Sequence, residues 1–455
     1  MRPSPSIVWL RDDLRIADNP ALDAAVRRGG PVIVLHLLDD ESPGVRPLGA
    51  ASRWWLHHSL TRLRDALREL GADLTLRRGS ALTELPALVE QSGAGAVYWN
   101  RRYGAAREVD AELKTRFTDE GLEVQSFQGS LLFEPWTIRT GSGTPFKVFT
   151  PFWRACLAAG EPREPLEAPT ALEGVEGLAS DDLDEWALLP TAPDWSEGLR
   201  ETWTPGEAGA HERLEAFADE HLGEYHRRDE PAVPATSMLS PHLKFGELSP
   251  FQIWHRLQRD LDASARKNRA KFLSELGWRE FSYTILFHFT ELGTKNFRPE
   301  FDAMPWRRPE GGQLEAWQHG RTGIPLVDAG MRELWRTGYM HNRVRMVTAS
   351  FLTKNLRIDW REGEAWFWDC LVDADEANNS ASWQWVAGSG ADAAPYFRVF
   401  NPELQAKKFD GHGLYVNRWV PEAGTPAYPE PIVDLKLSRQ QALDAYEQVK
   451  AASRS

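Results

Sequence analysis

The chain predicts an α/β domain built on a doubly wound parallel sheet, followed by an all-helical domain. Three observations carry this. Short β-branched runs alternate with helical patterns over roughly the first 130 residues. The stretch 131–205 is rich in Pro, Gly and acids and has little periodicity. From 206 onward the strand signal fades and helical periodicity dominates.

The strands are expected at "SIVWL" 6–10, "VIVLHLL" 32–38, "DLTLRR" 73–78, "AVYWN" 96–100 and "EVQSF" 123–127. Between the second and third, Leu56, Leu60, Leu63, Leu67 and Leu70 step by four and three, which gives one apolar helix face. No G-x-G-x-x-G follows the first strand, so an ordinary dinucleotide fingerprint is missing. Residues 131–205 read as a long connector, a solvated linker wrapping the surface. The expected domains are therefore 1–130, the connector, and 206–455. In the last, "ELSPFQIWHRLQRDL" puts Ser249 at an N-cap and Pro250 at the first helical position.

Composition narrows the function. At 455 residues the chain is long enough for two or three domains. No apolar run approaches the ~18 residues of a membrane span, and the N-terminus lacks the h-region of a signal peptide. Cys156 and Cys370 make neither a disulfide framework nor a metal cluster, so a reducing cytoplasm is expected. A net charge of −13 argues against nonspecific adhesion to nucleic acid, but not against a local basic stripe. Twenty tryptophans against nine tyrosines suggest that some indole meets a planar ligand.

Four segments offer chemistry. In "ATSMLSP", Thr236, Ser237 and Ser240 precede Pro241, which suits either plain capping or an anion cradle at a helix start. In "SELGWRE", Glu275, Trp278 and Arg279 share one helix face. "HNRVRM" sets His341 and Arg345 one turn apart, with Asn342 and Met346 alongside, and Asp373 or Asp375 of "DAD" could pair with Arg345. In "NNSASWQWVAGSGADAAPYF", 378–397, two indoles precede small residues that let a ligand come close. Basic clusters at 265–271, 343–345, 357–361 and 407–408 interleave with aromatics, as a nucleic-acid groove requires. There is no H-E-x-x-H, nucleophile elbow or P-loop.

"VWLRDDLRIADNPAL", "WREF", "LVDAGMRELWRTGYMHNRVRM", "IDWREGEAWFWDCLVDADEANN" and "WQWVAGSGADAAPYFRVFNPELQAKKFD" together resemble the photolyase/cryptochrome flavoprotein family. Within it the chain is most similar to class I bacterial cyclobutane pyrimidine dimer photolyases. The resemblance implies a light-driven carbon–carbon lyase: an electron passes from excited reduced FAD to the dimer, the ring splits, and the electron returns. It implies that Tyr225, Thr236, Ser237, Met238, Leu239 and Ser240 hold the FAD phosphates and ribityl chain, with Phe272 and Arg279 also at the cofactor. Asn342, Arg345, Asp373 and Asp375 would surround its rings, and Asn379 would face flavin N5. Trp278 and Trp385 would wall a dimer flipped out of UV-damaged DNA, with Met346 nearby and Glu275 hydrogen-bonded to a base. Arg228, Arg279, Arg343 and Gln405, beside Asn342, would meet the DNA.

Trp383, Trp360 and Trp306 would carry electrons to the flavin. A monomer without membrane contact is expected. Three alternatives stay open, one of them a plain FAD-binding helical protein, which leaves Glu275, Trp278 and Trp385 unexplained. The six-four photolyases usually have histidine at the position of Asn342. The cryptochrome photosensors usually differ at Asn379 and often carry a long tail. A second, antenna chromophore is also implied, either a deazaflavin or methenyltetrahydrofolate. Folate-binding relatives carry an acid just after the strand that resembles "AVYWN", where this chain reads "RRYGAAREVD".

Overall fold

The computed structural model describes residues 3–258, 263–309, 311–393 and 397–453. The tail of "ELSPFQIWHRLQRDL" and the "APY" of "GADAAPYF" lie outside the described residues.

Five strands, β1 Ser6–Leu10, β2 Val32–Leu38, β3 Leu74–Arg78, β4 Ala96–Asn100 and β5 Glu123–Phe127, form one sheet in the order β3-β2-β1-β4-β5. All its pairings are parallel. The crossovers are α1 Pro20–Arg28, α2 Ala50–Glu69, α3 Ala81–Ser92 and α4 Arg107–Asp119. Val8 and Leu10 of β1 pack toward Trp55, Leu60 and Leu63 of α2. Ile7 and Trp9 face the opposite way, into Leu85, Leu88, Leu113 and Phe117 of α3 and α4. Both faces are covered, so each strand reads as a continuous apolar run rather than an alternating one. The strand order reverses between β1 and β4, the switch point where such sheets open a crevice.

The connector differs from expectation. It holds α5 Phe149–Ala158 and α6 Glu197–Thr202, and Phe149, Phe152 and Cys156 are buried against Phe281 and Ile285. Leu172, Leu183, Trp186 and Leu188 are pinned to the α2 side of the sheet. This is not a solvated linker. One ten-residue helix and scattered single anchors leave no sustained period to read.

The remaining helices are α7 Glu207–Ala216, α8 Ser240–Lys244, α9 Pro250–Arg256, α10 Ala263–His288, α11 Gln313–Gln318, α12 Pro325–Thr337, α13 Asn342–Ser350, α14 Trp360–Cys370, α15 Glu376–Ala387, α16 Pro402–Phe409, α17 Leu414–Trp419 and α18 Leu435–Ala452. Ser249 starts α9 through a capping box with Gln252, as its sequence implies. Among the described residues no helix is long and apolar enough to cross a membrane.

Candidate functional site

A cavity of about 600 Å³ opens among α8, α10, α13, α15 and the turn 371–375. The periodicity of α10 puts Phe272, Glu275, Trp278 and Arg279 on this cavity, and that of α15 puts Asn379 and Trp383 there, one turn apart. Helix α13 supplies Asn342, Arg343, Arg345 and Met346, while Tyr225, Arg228 and the run 236–240 close one side. Trp385 lines the wall beside Gly390, where a Cβ would stand 2.7 Å from the Trp385 backbone nitrogen. The small residues after the two tryptophans are thus needed for the chain to fold back on itself.

The polar part of the wall is built around Asp373. Arg345 donates to both of its carboxylate oxygens, at 3.0 and 2.8 Å, and Ser240 Oγ donates at 2.6 Å. Burial pulls the Arg345 guanidinium down, but the adjoining carboxylate outweighs it and the net shift is upward. The alternative partner, Asp375, is not on Arg345. It accepts from the backbone of Ala377 and Asn378 at 2.9 and 2.7 Å and so caps α15, with burial raising its pKa. Asn379 donates its amide to Glu364 Oε1 at 2.9 Å.

Trp278 is held from behind. The Phe149 ring of α5 lies on it at 3.8 Å between centroids, with planes 9° apart. Glu275 is contacted by Lys271 at 2.8 Å and by Arg228 at 3.9 Å. Arg343 pairs with Asp229 at 2.9 Å and lies over Phe409 of α16.

One expectation, an outward-facing Arg279, needs correction. Arg279 points inward: it donates to the Ser130 carbonyl at 2.7 Å and its side chain is only 11 % exposed, so it cannot reach DNA phosphates from here. Gln405 stands on α16 outside the cavity wall. Of the three tryptophans assigned to electron transfer, Trp383 lines the cavity, Trp360 is fully buried and donates to Asn296 at 2.9 Å, and Trp306 is half-buried. Trp383 rests on Gly363 of α14, where a Cβ would meet its ring at 2.1 Å. Among the described residues, only Trp278, Trp383 and Trp385 of the tryptophans line the cavity. Apart from Trp306 and Trp360, the others within the buried clusters pack the core.

Phe149, Lys271 and Glu364 were missed by sequence reasoning. Lys271 and Glu275 are an i, i+4 pair that could have been found. Nothing local marks the other two, which act through contacts far along the chain.

The cavity lies within the range of roughly 300–1,000 Å³ typical of cofactor sites. Its hydroxyls, guanidinium groups, amides and indoles suit a ligand with anionic, polyol and flat aromatic parts. A second cavity, at the sheet's switch point, measures about 160 Å³ and is crowded by Arg11, Arg46, Arg101 and Arg102.

Residues 6–170 match the DNA photolyase family and residues 272–426 match the FAD binding domain of DNA photolyase. The chain is 49 % identical to the deoxyribodipyrimidine photo-lyase of Agrobacterium fabrum, covering 99 % of each protein. It is 37 % identical to cryptochrome-1 of Arabidopsis thaliana over 99 % of this chain and 72 % of that protein. Its fold matches a crystal structure described as a bacterial class III photolyase from Agrobacterium tumefaciens, with a TM-score of 0.94, 48 % identity, and 99 % and 98 % of the two chains covered. With the two matched regions falling on the two domains, and the cavity lying in the second, the chain belongs to the photolyase/cryptochrome family and its helical domain binds FAD.

Proposed function

We propose that this protein is a deoxyribodipyrimidine photo-lyase that splits cyclobutane pyrimidine dimers in UV-damaged DNA under light. The observation that carries this reading is the shared cavity: Glu275, Trp278 and Trp385 line the same space as Asn379 and the Arg345–Asp373 pair. A photosensor needs the flavin side of that wall but has no use for an acid and two indoles on the same cavity.

Bound reduced FAD supplies the photoexcited electron that opens the dimer and accepts it back. The chain's own residues bind, orient and exclude water. Arg345, fixed by Asp373, presents a fixed positive edge, and the hydroxyls of Thr236, Ser237 and Ser240 offer donors to phosphate and polyol oxygens. Trp278 and Trp385 give a flipped lesion flat faces to replace its lost stacking, which is already poor in a dimer. Glu275 offers a carboxylate to the base edge, where a hydrogen bond that strengthens as charge develops favours the reaction over mere binding. Arg228 and Arg343 meet phosphates with their acidic partners Glu275 and Asp229 exchanged for the backbone. Gln405 takes a neighbouring place on α16. Trp383, Trp360 and Trp306 pass electrons inward from solvent to regenerate the reduced cofactor.

The test is repair of a UV-irradiated oligonucleotide with purified, reduced holoprotein under near-UV or blue light and in darkness. Loss of cyclobutane dimers only in the light is expected. Loss of six-four products instead would change the substrate assignment, and no light-dependent repair would favour a photosensor.

A further inference from the structure

The following rests on the reading that Asn379 faces the reacting edge of the flavin. We propose that Arg46, in the N-terminal domain, is a positioning residue that acts through Glu364 to fix the orientation of the Asn379 amide. Arg46 and Glu364 are 318 positions apart, yet Nη1 and Nη2 meet Oε1 and Oε2 at 2.7 and 2.9 Å. The loop that carries Arg46 is locked on both sides. Its guanidinium lies 3.9 Å over Trp368, and Trp368 Nε1 donates to the Pro47 carbonyl at 2.9 Å. Gly49 presses on the end of α14, where a Cβ would stand 2.1 Å from the Trp368 carbonyl oxygen.

Glu364 has a side chain only 4 % exposed. With both oxygens on a guanidinium, its carboxylate has only lone pairs to offer, so every further neighbour must come as a donor. Ser380 Oγ does so at 3.2 Å, and the Asn379 amide nitrogen at 2.9 Å, with a second bond to the Glu364 carbonyl at 3.1 Å. The Asn379 carbonyl oxygen is then the atom left for the cavity, and it matches a ring N–H better than a bare ring nitrogen. Without Arg46, both Glu364 oxygens lose the paired donors that hold them in place. The carboxylate can then rotate away, and the Asn379 amide is free to turn its nitrogen toward the flavin. Arg46 also lines the switch-point crevice.

The experiment uses full-length, FAD-loaded protein without DNA. Wild type, Arg46→Ala, Arg46→Lys, Glu364→Gln and the double variant R46A/E364Q are reduced by light, and flavin reoxidation in air is followed by absorbance. Arg46→Ala is expected to keep its FAD and to reoxidise about tenfold faster, the lower end of what one hydrogen bond to a charged group is worth. Arg46→Lys, which keeps the charge and loses the paired geometry, should recover part of the difference. The double variant should be no faster than the faster single one, because both act on one path. An unchanged rate in Arg46→Ala with FAD retained overturns the proposal. If Arg46→Ala fails to hold FAD, Glu364→Gln decides, and an unchanged rate there overturns it too. Wild type that photoreduces normally but repairs no dimers would sink the repair reading while leaving this relay standing.

Discussion

Phe149 lies flat against Trp278, 3.8 Å between ring centroids, although the two come from α5 and α10, 129 positions apart. A parallel stack of this kind is worth about 0.5–1.5 kcal/mol beyond buried area and holds the indole in one plane. Phe149→Ala is therefore expected to destabilise the protein by about 3 kcal/mol. It should also loosen Trp278, so that affinity for dimer-containing DNA falls while FAD content is kept. Lesion affinity unchanged in a folded Phe149→Ala protein would show that Trp278 needs no support.

Glu275→Ala should retain FAD and lower repair per absorbed photon about tenfold at saturating lesion, by analogy with the loss of one charged hydrogen bond. Removing the carboxylate also frees Lys271 and Arg228 for phosphates, so affinity for undamaged DNA should rise at low salt. Quantum yield and binding are measured separately, and an unchanged yield would reduce Glu275 to a surface acid.

Trp306→Phe should abolish most light-driven reduction of oxidised FAD while leaving repair by chemically reduced protein intact. The position is a cleaner test than Trp360. Trp360 is fully buried and its Nε1 satisfies Asn296, so Trp360→Phe also leaves a buried amide short of a donor, at a cost of about 1–3 kcal/mol. Normal photoreduction in Trp306→Phe would refute the route.

Glu280, 1 % exposed on α10, has its pKa pushed up to about 7, chiefly by burial. It accepts from the Phe133 backbone at 3.1 Å and so ties the start of the connector to the cavity helix. The unfolded carboxyl titrates near 4.5. Between these values the folded state binds the proton and the unfolded state does not, so folding stability falls as pH rises from about 4.5 to about 7 and levels off above. Glu280→Gln removes this slope. Its melting temperature relative to wild type should climb across that window, by the equivalent of up to about 3 kcal/mol. A constant difference from pH 4.5 to 8 would contradict it.

The parallel sheet and the order of domains were legible in the chain itself. Fully buried strands read as β-branched runs, and the apolar face of α2 repeats every three or four residues. The same periodicity ties Phe272, Glu275 and Trp278 to one face of α10, and the short spacing in "HNRVRM" and "DAD" was enough to foresee a charge pair. It could not say which aspartate. Asp373 and Asp375 are two residues apart and chemically equal, and only the turn before α15 sends one to Arg345 and the other to the helix start. Likewise Arg279 carries the charge a DNA contact needs, but the packing of residue 130 against α10 turned it inward. The connector was misread because its anchors are single side chains without a period. Phe149 behind Trp278, and Arg46 behind Glu364, leave no local trace at all, since each depends on a partner more than 100 residues away. Local chemistry and spacing therefore determined which residue types this protein brings to the cavity. The long-range packing of two domains decided which of them line it, and what each one is bonded to.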